Sequence, residues 1–384
     1  MIDSAVRALP FDDYLALVRD FTNSELIARE PEMVRDGAVP DDLVRRMAEI
    51  GLFGLTLPSE YGGLGWTVEQ QVLLTMEFTR ASAVYRSRFS TNIGLVSQAL
   101  FEYGTPAQRD RYLAAMAAGD LVAAFALTEP EAGSDASGLR TTARRTADGY
   151  VLDGHKRFIT NGAWADVLLV FARTDPEDAA LSAFFVDRTA DGVTVTLPER
   201  MNGHAEGPVA EITLSGVHVP ADALLGGVEG AGLRHALRGI NHARTHVAAT
   251  AVGQATRMLE EATRHAHTRR QFGSPIAEFG AVQAMLGRSY AELEAGRALV
   301  LQCAREFDAG TPPREKISAA KLYCTEMASE VGDRAVQVLG GEGIVGESPV
   351  PRMWRDVRAL RIYEGASQIH ERNLARALPT LLGV

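Results

Sequence analysis

The first third of the chain repeats apolar residues at helical intervals. In DDLVRRMAEIGL, residues 41–52, the apolar side chains fall on one helical face, and Asp41 and Asp42 are placed to cap it. The same spacing predicts further helices over 68–79, 93–103 and 107–118, with Gly104 ending the second of these. We therefore expect a helical N-terminal domain over residues 1–120.

From residue 121 the pattern changes to short β-rich runs. GYVLDGHKRFITN, residues 149–161, has Asp148–Gly149 before it and Asp153–Gly154 inside it, and both pairs are hairpin signals. Further runs follow without intervening helices: DVLLVFA, LSAFFVD, GVTVTL and AEITL. This repeated spacing predicts an antiparallel sheet or small barrel over residues 121–228.

After GGVEGAG, residues 226–232, the helical pattern returns and continues to the end. Gly310 and Pro312–Pro313 separate the second predicted helix from the third. Four long segments carry the pattern, over about 233–267, 278–309, 313–339 and 351–361. Their lengths predict a four-helix bundle over residues 229–384, so the chain is expected to be mainly α with a central β domain.

Composition and charge narrow the class of protein. The chain has 384 residues, of which 46% are hydrophobic and 23% charged, as in globular enzymes. A net charge of −10 disfavours binding to a phosphate backbone. The apolar runs are too short to span a membrane, and the N-terminus lacks a basic, apolar leader. Cys303 and Cys324 show no CxxC spacing. We expect a cytoplasmic protein with reduced thiols that binds neither nucleic acid nor membrane.

Three short motifs match active-site signatures in sequence but not in their surroundings. GEGIVG, residues 341–346, follows a helical run and not a strand, so a dinucleotide fingerprint is disfavoured. His242 and His246 of HARTH lack the glutamate of a zinc motif, and we expect no metal. Ser318 and Lys321 of SAAK lie in a long predicted helix without the partner motifs of acyl-serine enzymes.

Two other segments offer the chemistry of a cofactor site. FALTEPEAGSDASGL, residues 125–139, combines helix-breaking residues with hydroxyl and carboxyl groups, which suits a phosphate or a heterocycle edge, although it also suits an ordinary polar turn. In HKRFITNG, Phe158 and Thr160 are two residues apart on a predicted strand, so we expect them on one face. An aromatic ring beside a hydroxyl can stack on a flat ligand and bind its edge.

Five motifs in order resemble the acyl-CoA dehydrogenase family over nearly the whole chain: FALTEPEAGSD, KRFITNGAWAD, TRRQFGSPI, QVLGGEG and RIYEGASQI. The resemblance implies a helical domain, a middle antiparallel β-barrel and a C-terminal four-helix bundle, with FAD bound between the last two. It implies that Phe158 covers one flavin face, that Thr160 bonds near flavin N5, and that Ser134 approaches FAD or the pantetheine arm. The flavin edge would be lined by Phe125, Leu127 and Thr128.

The resemblance also implies that FAD is shared between subunits. Residues that match those reaching FAD from a neighbouring subunit are Arg269, Gln271, Phe272, Gln337, Gly340 and Gly341. A guanidinium suits a pyrophosphate, and glycines allow close approach of the backbone. A homo-oligomer, commonly a tetramer in this family, is therefore expected.

Glu364 matches the catalytic base of the family's YEG motif. A base in a dry pocket would remove the α-proton of an acyl thioester while the β-hydrogen leaves as hydride, giving the trans-2-enoyl thioester. The resemblance implies that the Glu364 N–H donates a hydrogen bond to the thioester carbonyl and that Gly365 leaves the adjacent backbone accessible. It also implies that Arg244 and Asn241 lie near the CoA portion of the substrate. Some branches carry the base on another helix, but NHAR, residues 241–244, holds no acid.

The segment after the base departs from the family pattern. Ala366 stands where threonine is frequent, which removes a hydroxyl that would contact FAD, while Ser367 and Gln368 are still available. In VYRSRFST, Arg86 and Ser90 resemble the carboxylate site of glutaryl-CoA dehydrogenases, yet a solvated or structurally paired arginine is the commoner role.

Several functions fit these observations. The leading one is an FAD-dependent acyl-CoA dehydrogenase that passes electrons to an electron-transfer flavoprotein. The alternatives are a dicarboxylyl-CoA dehydrogenase, a dehydrogenase of acyl-carrier-protein thioesters, a flavin oxidase or monooxygenase on the same fold, and an inactive binding protein.

Overall fold

The computed structural model describes residues 2–175, 180–198, 200–310 and 314–384, and it has the expected order of helices, sheet and helices. Pro312–Pro313, predicted to separate two helices, lie outside the described residues. The N-terminal helices are α1 (Ser4–Arg7), α2 (Phe11–Phe21), α3 (Glu30–Asp36), α4 (Asp41–Glu49), α5 (Val68–Phe78), α6 (Ala83–Ser90), α7 (Ser97–Tyr103) and α8 (Pro106–Ala118).

Two details of this region differ from the prediction. Helix α4 has Pro40 at its N-cap and no side-chain cap, because Asp42 lies inside the first turn and binds the guanidinium of Arg29. The segment predicted as one helix over 93–103 is π-helical over Thr91–Val96 and α-helical only from Ser97. Gly104 does end α7, and its φ of −65° is not left-handed.

The central region contains a seven-stranded sheet with the order β1-β4-β2-β3-β7-β6 and β5 paired to β4. A second, two-stranded sheet lies in the C-terminal region. The strands are β1 (Ala123–Ala126), β2 (Thr142–Arg145), β3 (Gly149–Ile159), β4 (Val167–Arg173), β5 (Leu181–Asp187), β6 (Val193–Thr196), β7 (Ala210–Pro220), β8 (Arg270–Gln271) and β9 (Ser274–Pro275).

This sheet is mixed, whereas the sequence pattern predicted a purely antiparallel one. β4 runs parallel to β1 and to β2, and the other pairs of the seven-stranded sheet are antiparallel. Asp148–Gly149 does form a hairpin between β2 and β3. Asp153–Gly154 is instead a register shift within β3, where a Cβ on Gly154 would lie 2.2 Å from Thr141 Oγ1. The glycine there leaves room for the Thr141 side chain and does not form a turn.

Strand β4 explains why DVLLVFA reads as a continuous apolar run. Leu169 and Phe171 pack with Leu113 of α8 on one face of the sheet, while Leu168 and Val170 fill the other face. A strand covered on both sides does not alternate apolar with polar residues. The sheet is therefore held against the N-terminal helices.

Within its described residues, the C-terminal region contains the four predicted helices and two more. The helices are α9 (Gly232–Thr268), α10 (Gly280–Asp308), α11 (Arg314–Leu339), α12 (Glu342–Val345), α13 (Val350–Leu360) and α14 (Ser367–Leu382). The short α12 and the final α14 were not predicted. GEGIVG overlaps the short α12 after helix α11, which confirms that it is no dinucleotide fingerprint.

Interior positions of this region are filled with small and apolar residues, and both cysteines are free and buried. Among the described residues, no helix is long and apolar enough to span a bilayer. Likewise, no group of three or more His, Cys, Asp or Glu side chains in the described ranges is placed to hold a metal ion.

Candidate active site

Glu364 lies in the turn that joins α13 to α14. The two residues Glu364 and Gly365 have φ values of +54° and +100°, both in the left-handed region. This conformation is unfavourable for a glutamate, and such strain persists only where surrounding contacts enforce it. Here the enforced conformation places a carboxyl group near the cationic side chains of Arg244, Lys321 and Arg86.

Two cations from different helices hold this turn through its backbone. The Arg244 Nε–H of α9 donates to the carbonyl of Glu364 over 2.9 Å, and Lys321 of α11 donates to the carbonyl of Gly365 over 2.6 Å. Arg244 also donates to Asn241 Oδ1 over 2.9 Å, so the predicted pair does lie together. The SAAK motif was set aside because it lacks the partner motifs of acyl-serine enzymes, and the sequence did not reveal the contact of Lys321, which is 44 residues away.

A carboxylate on α11 fixes the two ends of the turn. Ser367 donates its hydroxyl to Glu326 over 2.5 Å, and Arg361 forms an ion pair with the same carboxylate at 2.5 Å. The Ser367 hydroxyl, expected at FAD, is thus bound to Glu326. Gln368 is exposed.

Gly365 is required for steric as well as conformational reasons. A Cβ there would lie 3.0 Å from His370 Nε2 and 3.3 Å from Arg244 Nη2. His370 is completely buried, and burial lowers its pKa to about 4, so it is neutral near pH 7.

Burial sets the ionisation of the groups around Glu364. It raises the pKa of the Glu364 carboxyl to about 7, while the charges of Arg244, Lys321 and Arg86 act in the opposite direction. Burial lowers the pKa of Lys321 to about 7 as well, against the attraction of Glu364. A carboxyl group in this state can take up and release a proton near neutral pH.

Arg86 of α6 lies near Glu364, but Ser90 is used differently from the expectation. Burial lowers the pKa of Arg86 to about 10, and the charges that oppose this shift are those of Tyr363 and Glu364. Its buried Nε has no hydrogen-bond partner among the described residues. The Ser90 hydroxyl donates to the carbonyl of Ser87 over 3.3 Å.

The polar loop after β1 is held by a buried ion pair that the sequence did not reveal. Lys156, on β3, donates to Glu129 Oε1 over 2.8 Å and to the carbonyl of Leu127 over 3.2 Å. Glu129 in turn accepts from the backbone N–H groups of Arg140 and Thr141. Burial lowers the pKa of Lys156 to about 8. In the sequence, a lysine inside a β-rich run could have indicated this ion pair.

The same strand brings the two predicted cofactor motifs together. The backbone N–H of Arg157 donates to the Thr128 carbonyl over 2.8 Å, so FALTEP and KRFIT are neighbours. The strand alternation expected for Phe158 and Thr160 is wrong, because Phe158 has a φ of +60° and Thr160 follows the end of β3. Phe158 is nevertheless 59% exposed.

These features fit a flat, polar-edged cofactor. An exposed aromatic ring at an enforced backbone position offers a stacking face. The hydroxyls of Thr128 and Thr160, both partly exposed, bond to no other described residue and can bind a ring edge. Phe125 is partly exposed and Leu127 buried beside them, while Ser134 is exposed in the loop.

The six residues expected to serve a neighbouring subunit all lie on the surface of the single chain. Arg269 lies at the end of α9, directly before the β8–β9 hairpin that contains Gln271 and Phe272, and Phe272 is 96% exposed. Gln337, Gly340 and Gly341 are exposed at the end of α11. None of them contributes to the turn around Glu364 within the described chain.

Comparison with known proteins identifies the family. Three domain models match: the acyl-CoA dehydrogenase N-terminal domain over residues 12–120, the middle domain over 124–217 and the C-terminal domain over 230–378. The chain belongs to the acyl-CoA dehydrogenase family, whose members are flavoprotein oxidoreductases acting on CH–CH bonds. The prediction of the family, the fold and the FAD cofactor class is thereby confirmed.

Individual relatives cover almost the whole chain. A 3-(aryl)acrylate reductase of Clostridium sporogenes is 36% identical, over 94% of this chain and 96% of its own length. An acyl-CoA dehydrogenase of Bacillus subtilis is 35% identical over the same shares. The solved glutaryl-CoA dehydrogenase of Mycobacterium smegmatis in complex with FADH2 is 30% identical, covers 98% of this chain and 96% of its own, and has a TM-score of 0.91.

Proposed function

We propose that this chain is an FAD-dependent acyl thioester dehydrogenase in which Glu364 removes the α-proton of the substrate. The observation that carries the proposal is the geometry of the 361–367 turn. A strained, partly buried carboxyl group is fixed there by Arg244 and Lys321 through its backbone, and its pKa is raised to about 7.

The residues of the turn have distinct tasks. The Glu364 carboxylate accepts the proton, and its elevated pKa makes it a stronger base than an ordinary glutamate. The backbone N–H of Glu364 bonds to no described residue and is free to donate to the thioester carbonyl, where negative charge develops. Arg244 with Asn241 orients the CoA side of the substrate.

FAD, when bound, supplies the acceptor for the hydride that leaves the β-carbon. Thr128 and Thr160 would bind its ring edge, and Phe158 would cover the face away from the substrate. Phe125, Leu127 and Ser134 would complete the site from the same chain. The exposed hairpin and the end of α11 would reach the FAD of a second subunit in a homo-oligomer, which we expect to be a tetramer.

The direction of reaction depends on the electron partner. Because proton transfer at Glu364 is reversible, the same residues serve both dehydrogenation and reduction of the enoyl thioester. Relatives bearing each name, acyl-CoA dehydrogenase and 3-(aryl)acrylate reductase, match this chain about equally well. We assign dehydrogenation, with an electron-transfer flavoprotein as acceptor.

A second candidate is a dicarboxylyl thioester substrate, and Arg86 favours it. Its guanidinium lies near Glu364 and Tyr363, it is poorly solvated, and its Nε has no partner among the described residues. Such a group would bind a distal carboxylate strongly. Structural likeness to a glutaryl-CoA dehydrogenase supports the same candidate.

Glu364→Gln tests the proposed function. The variant should retain yellow, FAD-loaded protein, and anaerobic addition of an acyl-CoA should no longer bleach the flavin. Glu371→Gln, which changes an exposed acid of α14, is the matched control and should bleach like the wild type. Normal bleaching by Glu364→Gln would show that Glu364 is not the base. Purified protein that cannot take up FAD would favour a binding protein over an enzyme.

Oxygen dependence separates the remaining alternative. Rapid peroxide formation or substrate oxygenation without an electron acceptor would favour an oxidase or monooxygenase. A dehydrogenase should instead hold reduced flavin until an electron-transfer flavoprotein or a dye is added.

A further inference from the structure

We propose that Lys321 is a positioning residue for Glu364, which fixes the turn through the Gly365 carbonyl and presents a positive charge to the carboxyl group. The inference rests on the proposed role of Glu364 as the base. It concerns a residue on another helix, 43 positions before Glu364 and outside the motifs that carry the family resemblance.

Lys321 has an unusual environment for a lysine. Its side chain is 0% exposed, and within the described residues its ammonium group donates one hydrogen bond, the 2.6 Å contact to Gly365. Burying an ammonium group is costly unless it is well paired. Lys156, the other fully buried lysine among the described residues, has three acceptors including a carboxylate.

The contact acts on the backbone of the base. Successive carbonyls are fixed from two helices, Glu364 by Arg244 of α9 and Gly365 by Lys321 of α11. Two such anchors fix the peptide planes on either side of the Gly365 Cα, and so hold the left-handed φ of Gly365, the residue directly after the base. Without Lys321, the Gly365 carbonyl would be free to rotate, and the carboxyl group would leave the position needed for proton transfer.

The charge acts on the protonation of the base. The groups that face Glu364 are Arg86 of α6, Arg244 of α9, Lys321 of α11 and the neutral His370 of α14, beside Tyr363 in the turn. Lys321 itself also faces Glu326 and Arg361. Because a nearby cation favours the ionised carboxyl, removal of Lys321 should make Glu364 harder to deprotonate.

The test compares Lys321→Met with Lys321→Arg and with Lys316→Met. Methionine removes the charge and the donor at similar length, arginine retains both, and Lys316 is an exposed lysine of the same helix paired with Glu306. Two measurements are made on FAD-loaded protein. One is the infrared titration of the Glu364 carboxyl band, assigned by its absence in Glu364→Gln, and the other is the pH profile of anaerobic bleaching by an acyl-CoA.

We expect Lys321→Met to move the infrared midpoint upward by about half to one pH unit and to slow bleaching at pH 7 by about tenfold. Lys321→Arg should have a midpoint and a bleaching rate close to those of the wild type, and Lys316→Met should match the wild type in both. If Lys321→Met fails to fold with FAD, Lys321→Gln, which keeps a donor without charge, should show the midpoint shift alone.

A wild-type midpoint and bleaching rate in FAD-loaded Lys321→Met would overturn the proposal, and so would a loss of thermal stability with an unchanged midpoint. These results differ from failure of the proposed function itself. In that case Glu364→Gln would still bleach, whatever Lys321 does.

Discussion

Lys156 and Glu129 form a buried ion pair, with Nζ and Oε1 2.8 Å apart, that links a strand of the sheet to the polar loop after β1. Through its other bonds this pair ties Leu127 and Thr141 to the same place. An interaction within the protein therefore fixes the shape of the loop that we assign to FAD.

We expect Lys156→Met to cost about 3–5 kcal/mol of unfolding free energy, because it leaves the Glu129 carboxylate buried without its counter-ion. The purified protein should also lose FAD. Urea denaturation and the ratio of flavin to protein absorbance measure the two effects. Adding Glu129→Gln should restore part of the stability, and a single variant as stable as the wild type would contradict the ion-pair account.

Glu364 should make the protein less stable as the pH rises. Its folded pKa, about 7, is above the ordinary value of 4.5, so the folded state binds more protons between these values and stability falls over that window. Glu364→Gln should consequently be more stable than the wild type by about 1–3 kcal/mol at pH 8 and equal to it at pH 4. Denaturation at the two pH values measures this, and equal stabilities at pH 8 would contradict the raised pKa.

The same ionisation should control activity. Anaerobic bleaching should be slow at pH 5, rise through a midpoint near 7 and level off above it, because only the ionised carboxyl accepts the α-proton. Stopped-flow measurements at saturating acyl-CoA give the profile. A flat profile from pH 5 to 8, with chemistry limiting, would exclude Glu364 as a base with the raised pKa.

Arg86→Met distinguishes the substrate classes. For a dicarboxylyl substrate, we expect kcat/KM with glutaryl-CoA to fall at least about 100-fold, since losing a desolvated charge pair costs about 3 kcal/mol. Butyryl-CoA should be much less affected, and Ser90→Ala should change neither because its hydroxyl bonds to Ser87. Equal losses of kcat/KM with both thioesters would indicate that Arg86 has a structural role.

Gly365→Ala should damage both the turn and the chemistry. The added methyl group meets His370 at 3.0 Å and occupies a backbone with a φ of +100°, so we expect a loss of more than about 1 kcal/mol and much slower bleaching. Gly37→Ala has a comparable φ of +66° but no neighbour within 4 Å. It should lose stability only, and slower bleaching in that control would argue for an indirect effect.

Phe272→Asp tests the shared cofactor site. Since Phe272 is 96% exposed on the single chain, the substitution should not unfold the subunit, but we expect a smaller species in sedimentation and weaker FAD retention. Val34→Asp changes an exposed apolar residue of α3 and serves as the control. An unchanged oligomer with full FAD would place the interface elsewhere.

The sequence pattern predicted long elements well and short or long-range features poorly. The helices of the C-terminal region follow sustained apolar spacing, but β1 and β2 have four residues each, and Thr142–Arg145 carries little apolar signal. Glu364 was predicted by its motif. Lys321, Glu326 and Lys156 were not, because their importance lies in contacts made across 44, 41 and 27 residues.

The π-helical segment Thr91–Val96 lies between the helix that carries Arg86 and helix α7. A π segment holds one residue more than the α-helical turn it replaces, and one residue corresponds to about 100° of rotation. Deleting one residue there would turn the 83–90 helix and move Arg86 away from Glu364 without changing a single motif. Substrate preference in such a chain can thus be altered by an insertion or deletion as well as by substitution.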